Sequence, residues 1–219
     1  MAAVPTPVNR SFLYVPGHDA ERLESAFAHG ADAVVFDLED GVPPDRRDDA
    51  RALVAEALGR RSAWVRVNPA GTAVAEADLA AVAGLAAGLR LPKTRSADEA
   101  RWLVERAGGV PVICAIESEE GLHAAGAIAA VEGVSTLSLG SRDLTADLGC
   151  EDSWEELLDA RSELVYSCNS AGIDQPVDSV YYAGDDGLRE ATEAARRLGF
   201  SGKSTLWPEQ VAVINEAFA

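Results

Sequence analysis

Short apolar runs alternate with longer segments of helical periodicity along the whole chain, and this alternation constrains the fold most strongly. Eight runs are predicted as strands: Ser11–Val15, Ala33–Asp37, Trp64–Val67, Leu89–Leu91, Val112–Ile116, Val134–Leu139, one strand within Ile173–Tyr181, and Ser201–Leu206. The predicted helices are His18–His29, Asp45–Leu58, Glu76–Ala87, Ser96–Ala107, Ser118–Ala130, Ser153–Ala171, Asp185–Leu198 and Pro208–Phe218. Strands and helices that alternate in this way form a parallel sheet.

Eight strand–helix pairs in 219 residues without a linker favour a closed (β/α)₈ (TIM) barrel, a single domain over residues 1–219. The main alternative is an open, doubly wound sheet. Such a sheet usually carries a glycine-rich phosphate-binding turn after a strand. The only candidate turn, Pro16-Gly17-His18, does not have that spacing.

Charge and cysteine content narrow the function. The net charge of −17 argues against nucleic acid or an anionic membrane as the main partner, while an anionic small molecule stays compatible with it. The 3 cysteines form no CxxC pair, which is typical of a reducing compartment. No apolar segment has the length of a signal peptide core or a transmembrane helix, so we predict a cytoplasmic protein.

Two acids follow neighbouring predicted strands. Glu117 comes directly after Val112–Ile116, and Asp143 follows Val134–Leu139 after three residues. In a parallel α/β fold the loops at the carboxyl ends of strands face the ligand. Hard oxygen ligands on neighbouring loops suit Mg²⁺, which takes one or two carboxylates and completes its shell with water and substrate oxygens. The alternative is that Glu117 caps a helix and Asp143 is an ordinary loop acid.

Other polar residues at or near the strand ends are predicted to face the mouth of the barrel. Asp37, Glu39 and Asp40 end or follow the second strand, Arg66 lies near the end of the third, Lys93 follows the fourth, and Lys203 lies within the eighth. Arg66 alternates with Val65 and Val67, so its side chain should point into the barrel. A buried arginine needs an acidic partner or an anionic ligand. Two interpretations stay open, namely a structural ion pair with Asp37 or Glu39, and a bidentate clamp on a substrate carboxylate.

The chain resembles the citrate lyase β-subunit-like proteins of the HpcH/HpaI aldolase family. The resemblance is carried, in the family's order, by Arg10–Gly17, Asp37–Val42, Val65–Asn68, Leu91–Lys93, Ile116–Ser118, Asp143–Leu144, Ala146–Gly149, Gly199–Lys203, Pro208–Gln210 and Asn215. It implies a (β/α)₈ barrel, a bound Mg²⁺, and cleavage or formation of a carbon–carbon bond in 2-oxo- or 3-hydroxy-acid derivatives. Many members of the family act on coenzyme A thioesters, and many are trimers or multiples of trimers.

The resemblance also assigns roles to residues. It implies that Glu117 and Asp143 are the metal ligands, that Arg66 binds the substrate carboxylate, and that the Gly140-Ser141 backbone closes over the oxo-acid. Lys93 is a further substrate-binding candidate at the same mouth. The general base is expected to be Asp37 or Glu39, because two nearby acids can push one pKa upward.

The chain departs from the family pattern in several places. The residues after Glu117 read Ser118–Gly121 where the family has Thr-Ala-Arg-Gly, and Leu206–Pro208 replaces Ile-His-Pro. The sequence ends at Ala219, so the C-terminal lid helices of relatives are expected to be absent. Three hypotheses therefore remain: a Mg²⁺-dependent lyase in a homo-oligomer, a non-catalytic barrel that binds Mg²⁺ and an oxo-acid, and a structural subunit of a lyase complex.

Overall fold

The chain forms the predicted closed barrel of eight parallel strands. The structure is a computed structural model that describes residues 9–184 and 186–219. Each strand is hydrogen-bonded to the next, and the last pairs with the first through the register Phe12↔Ser204. The strands are β1 (Ser11–Pro16), β2 (Ala33–Asp37), β3 (Trp64–Arg66), β4 (Gly88–Leu91), β5 (Val112–Ile116), β6 (Val134–Leu139), β7 (Val177–Asp178) and β8 (Gly202–Thr205).

Helices surround the barrel on its outer face. They are α1 (Ala20–Ser25), α2 (Arg47–Leu58), α3 (Ala73–Val82), α4 (Ala97–Arg106), α5 (Glu119–His123), α6 (Ala125–Ala129), α7 (Ser141–Leu148), α8 (Leu158–Ala171), α9 (Leu188–Leu198) and α10 (Val211–Ala217). Short 3₁₀ turns lie at 26–29, 44–46 and 208–210. Asp185, the predicted start of the seventh helix, lies outside the described residues.

Two predicted segments differ from the structure around the candidate metal ligands. The single helix predicted over Ser118–Ala130 is broken into α5 and α6 at Ala124. The residues after Asp143, predicted as a short turn, form α7, which ends at Gly149 in a left-handed conformation with φ 69°. The N-cap of α7 is Gly140, which has no side chain to cap the helix, and this explains why no start signal for α7 is visible in the sequence.

The barrel interior changes character along its axis. Inward-facing side chains near the amino ends of the strands are apolar, and Phe12, Val35, Ile113 and Val177 form one cluster there with Trp64. Since side chains of a strand alternate between its two faces, the next inward positions on β2 and β3 carry Asp37 and Arg66. The apolar plug therefore supports a polar floor at the carboxyl end, which is where barrel enzymes place their sites.

Candidate active site

A cavity of about 780 Å³ opens at the carboxyl ends of the strands. Most of the predicted site residues line it: Asp37, Arg66, Glu117, Gly140, Ser141 and Asp143. Glu39 and Lys93 do not line the cavity; they contact residues that do. The prediction that Lys203 faces the mouth is wrong. Its ammonium pairs with Asp178, and the same carboxylate also pairs with Arg161 of the outer helix α8.

Arg66 and Asp37 make a bidentate ion pair on neighbouring strands. Nε and Nη2 of Arg66 donate to the two Asp37 oxygens at 2.7 Å each. The same carboxylate accepts the backbone N–H groups of Glu39 and Gly41 at 3.0 and 2.9 Å. Asp37 thus accepts four hydrogen bonds, and the two from Arg66 fix the plane of the guanidinium. The structural ion pair, one of the two interpretations of Arg66, is therefore present.

Glu39 and Lys93 form the outer part of this network. Nη1 of Arg66 lies 2.9 Å from Glu39 Oε2, and Lys93 Nζ lies 2.6 Å from Oε1. Burial raises the pKa of Glu39, and the nearby Arg66 opposes that rise. Lys93 has a left-handed backbone with φ 50°, uncommon for a residue with a long side chain, and its N–H donates to Glu117 Oε2 at 3.2 Å.

Glu117 is buried in an environment that disfavours its charge. Only 8% of the Glu117 surface is exposed. Burial is the main cause that raises the pKa of Glu117 to about 7. The negative charges of Glu39 and Asp143 add to the rise, and Arg66 and Arg90 oppose it. A cation held between Glu117 and Asp143 would remove this penalty by pairing with the carboxylates.

The donor set fits Mg²⁺. Within residues 9–184 and 186–219, no cluster of three or more histidine, cysteine, aspartate and glutamate side chains could hold a metal ion. Two carboxylates are nevertheless sufficient for Mg²⁺, which keeps several water ligands and takes substrate oxygens. The absence of sulfur and imidazole donors among the described residues that line the cavity is unlike a zinc site. The alternative in which Glu117 caps a helix does not hold, because Ser118 is the N-cap of α5.

Asp143 is carried by the first turn of α7, where a carboxylate is favoured by the unpaired N–H groups of the helix start. The approach of this helix depends on Gly140. A Cβ at that position would lie 2.9 Å from Glu117 Oε1 and would overlap the Glu117 Cγ. The Gly140 N–H donates to Ile116 O at 3.0 Å, and Ser141 Oγ donates to Asp152 Oδ2 at 2.9 Å, so both residues are held in place before a ligand arrives.

Sequence reasoning missed Arg90, which also lines the cavity. Its guanidinium lies over the Tyr14 ring at 5.2 Å and near the Phe12 ring at 6.0 Å. Burial lowers the pKa of Arg90. The signal was available, because Arg90 alternates with Leu89 and Leu91 in the same manner as Arg66 alternates with two valines.

A model of the family described as HpcH/HpaI aldolase/citrate lyase matches residues 10–208. The chain belongs to this family. Curated relatives include the citrate lyase subunit beta of Haemophilus influenzae, which is 36% identical over 97% of this chain and 80% of its own length. A (3S)-malyl-CoA thioesterase of Cereibacter sphaeroides is also 36% identical, over 96% of this chain and 77% of its own length.

Solved structures in the family have the same fold. The citrate lyase beta subunit of Mycobacterium tuberculosis, complexed with oxaloacetate and magnesium, has a TM-score of 0.84 and 29% identity, with 96% of each chain covered. Protein CitE of the same organism, in complex with magnesium, acetoacetate and coenzyme A, gives a TM-score of 0.84 and 29% identity over 96% of this chain and 80% of the other. No helix in the described parts of the present family member has the length and apolarity to cross a membrane.

Proposed function

We propose that this protein is a Mg²⁺-dependent carbon–carbon lyase or aldolase of the HpcH/HpaI family that acts on an oxo- or hydroxy-acid, including its coenzyme A thioester. One observation carries the proposal: Glu117, Asp143 and Arg66 line the same cavity at the carboxyl mouth of the barrel. The complex of the M. tuberculosis relative with oxaloacetate and magnesium supports the same ligand chemistry.

In this proposal Glu117 and Asp143 hold Mg²⁺, which supplies Lewis-acid chemistry at a substrate oxygen. Arg66 orients a substrate carboxylate and offsets its charge. All three of its nitrogen atoms already contact Asp37 or Glu39, so a ligand must use the N–H groups that these acids leave free. The fixed guanidinium is thereby organised before binding, which lowers the entropic cost of association.

Cleavage needs a base for the hydroxyl proton of the substrate. Of the two acids predicted for this role, Asp37 has both oxygens engaged by four hydrogen-bond donors, so neither is free to accept a bond from a substrate hydroxyl. Burial raises the pKa of Glu39, and Glu39 Oε2 lies 2.9 Å from Nη1 of Arg66, which lines the cavity. Because Glu39 does not itself line the cavity, we assign it the role of a base that takes the proton through one bridging water. When the proton leaves the hydroxyl, that oxygen becomes the carbonyl of the oxo-acid product, and the electrons of the broken bond leave as an enolate on the other fragment, which is then protonated.

The test is turnover of citryl- and malyl-type coenzyme A thioesters with Mg²⁺, with both products identified. A lyase releases an oxo-acid and a shorter thioester, whereas a thioesterase, the activity named for one relative, releases free thiol and an intact hydroxy-acid. Glu120→Gln, which changes an exposed acid on α5, is the matched control for Glu39→Gln. Lyase products that are lost in Glu39→Gln and kept in Glu120→Gln are expected; thiol release alone would contradict the lyase.

The two non-catalytic hypotheses are separated by binding. A barrel that keeps only the ligand site is stabilised thermally by oxaloacetate in the presence of Mg²⁺ but turns over no thioester. A purely structural subunit shows neither effect. We expect both binding and turnover from this chain.

We also propose that the protein is a homo-oligomer, as the family resemblance implies. Exposed apolar side chains near the mouth and on the adjoining helices, Tyr182, Leu206, Leu148 and Leu158, offer surface that a second copy would cover. Light scattering at micromolar concentration should give a mass that is a multiple of 23.0 kDa. A mass equal to one chain would contradict the proposal.

A further inference from the structure

Arg90 is the most deeply buried cation that lines the cavity. The residue is 3% exposed, and its side chain projects from the middle of β4 toward the floor of the cavity. Nε and Nη1 are buried and have no hydrogen-bond partner among residues 9–184 and 186–219. Two aromatic rings, of Tyr14 and Phe12, give it cation–π contacts but accept no conventional hydrogen bond from these nitrogens.

The other cations at the mouth are differently placed. Arg66 is paired with Asp37 and Glu39, and Lys93 is paired with Glu39 and Asp40. Arg22 and Arg142 also line the cavity, but they are exposed to solvent. In the part of the chain that the structure describes, no carboxylate lies within ion-pair distance of Arg90. A buried guanidinium without a partner carries a desolvation cost of several kcal/mol that the fold leaves unrelieved. An anion that enters the cavity would relieve it.

The charges on the cavity wall indicate how much negative charge the ligand carries. Among residues 9–184 and 186–219, four arginines line it, Arg22, Arg66, Arg90 and Arg142, and four carboxylates, Asp37, Asp40, Glu117 and Asp143. Their sum is zero, so a divalent cation bound at the acids leaves an excess of two positive charges. A ligand with two carboxylates restores neutrality, and one with a single carboxylate does not.

We propose that Arg90 determines specificity by binding a second carboxylate of the substrate, so that this site takes dicarboxylic oxo-acids in preference to monocarboxylic ones. The proposal rests on the proposed function, in which Arg66 binds the first carboxylate. Ser204 Oγ, which is also buried without a partner in the described residues, lies on a residue that lines the same cavity and supplies a second donor. Together these groups form an anion-binding floor beneath the metal ligands.

The experiment compares two ligands that differ by one carboxylate. Oxaloacetate is pyruvate with a carboxylate on its methyl carbon, so the pair isolates the second anionic group. Both are titrated calorimetrically, with saturating Mg²⁺, into the wild-type protein, Arg90→Met and Arg90→Lys. Arg101→Met, which removes an exposed guanidinium of α4, is the control for the loss of one positive charge.

The wild-type protein should bind oxaloacetate at least tenfold more tightly than pyruvate, since a hydrogen bond to a charged group is worth about 1.5–3 kcal/mol. Arg90→Met should lose about tenfold or more for oxaloacetate and less than about twofold for pyruvate, and Arg101→Met should match the wild type. The oxaloacetate affinity of Arg90→Lys should lie between those of the wild type and Arg90→Met, because lysine keeps the charge without the planar fork of the guanidinium.

Two outcomes would overturn the assignment, and they differ from a failure of the proposed function. Equal loss for both ligands in Arg90→Met and Arg90→Lys would make Arg90 a structural residue of the barrel floor. Equal affinity of the wild-type protein for both ligands would show that no second carboxylate is read. If the wild-type protein binds neither ligand, the proposed function fails and the assignment of Arg90 fails with it.

Discussion

Two ion clusters lie on opposite faces of the barrel wall, and they differ in how acids and bases are paired. The mouth cluster, Asp37, Glu39, Arg66 and Lys93, adjoins the cavity. The outer cluster, Arg161, Asp178 and Lys203, lies between the sheet and α8, with Asp178 only 1% exposed. The outer cluster also lines a cavity, of about 780 Å³, so the difference between the clusters lies in the ratio of acids to bases.

In the outer cluster one acid serves two cations. Burial acts to raise the pKa of Asp178, but Lys203 and Arg161 outweigh it and hold that pKa below its usual range. At the mouth, burial raises the pKa values of Glu39 and Glu117, and neighbouring acids add to the rise. The outer cluster therefore stabilises the folded chain. At the mouth, the carboxylates are costly to ionise, and a bound cation would lower that cost. This contrast is typical of structural and functional ion networks.

The largest expected effect is loss of the metal. Glu117→Ala and Asp143→Ala should each abolish Mg²⁺ binding measured by calorimetry, because each variant loses one of the two protein carboxylates that would bind the ion. The barrel should stay folded by circular dichroism. Glu120→Ala is the matched control, as its side chain is exposed on α5. If both variants bind Mg²⁺ as the wild type does, Glu117 and Asp143 are not metal ligands. The mouth cluster would then not adjoin a metal site, and the contrast with the outer cluster would fail.

Next comes the outer cluster. Asp178→Asn should lower the free energy of unfolding by about 3–5 kcal/mol, since it leaves two buried cations without their acid. Denaturant unfolding measures this, with the exposed Asp98→Asn as the control. Oxaloacetate affinity of the folded variant should be unchanged. A weakened affinity without lost stability would mean that this cluster serves the ligand as well.

A smaller effect is expected for Arg66→Lys. If Arg66 clamps a carboxylate, oxo-acid affinity should fall about tenfold or more, because an ammonium cannot make the two parallel hydrogen bonds of the guanidinium. Mg²⁺ affinity without oxo-acid should barely change. If Arg66 is only the partner of Asp37, the melting temperature falls and the affinity of the folded protein is retained. Calorimetry with and without oxaloacetate distinguishes the two.

The smallest effect is the pH dependence of the outer cluster. The folded-state pKa of Asp178 lies below its unfolded value, so its ion pairs contribute fully above the unfolded pKa of about 4 and are lost as the pH falls through the folded one. The difference in unfolding free energy between the wild type and Asp178→Asn should be constant between about pH 5 and about pH 7, and it should shrink below about pH 4. Denaturant unfolding at a series of pH values measures it, and a difference that grows on acidification would reverse the assignment.

The sequence predicted the architecture because eight strands repeat one pattern, and errors in single elements do not alter the count. It also placed Glu117, Asp143 and Arg66 at one mouth, since parallel strands all end at the same edge. It placed Lys203 wrongly because Gly202–Thr205 lacks the apolar alternation that marks the inward face. Whether Arg66 pairs with Asp37 was open, because pairing depends on the register Asp37↔Arg66, which pattern alone does not determine.

The glycine beside Glu117 also restricts how this family member can change over generations. Any side chain at position 140 would occupy the space of the Glu117 side chain, and any side chain at position 41 would overlap Asp37 Oδ2. A single substitution at either position displaces the neighbouring acid, Glu117 or Asp37. A new set of ligands can therefore evolve only if the glycine and its acid change together, or if the first change occurs at another position. Laboratory libraries aimed at altered chemistry should therefore vary the floor residues Arg90 and Ser204, where a smaller side chain enlarges the cavity, and leave both glycines fixed.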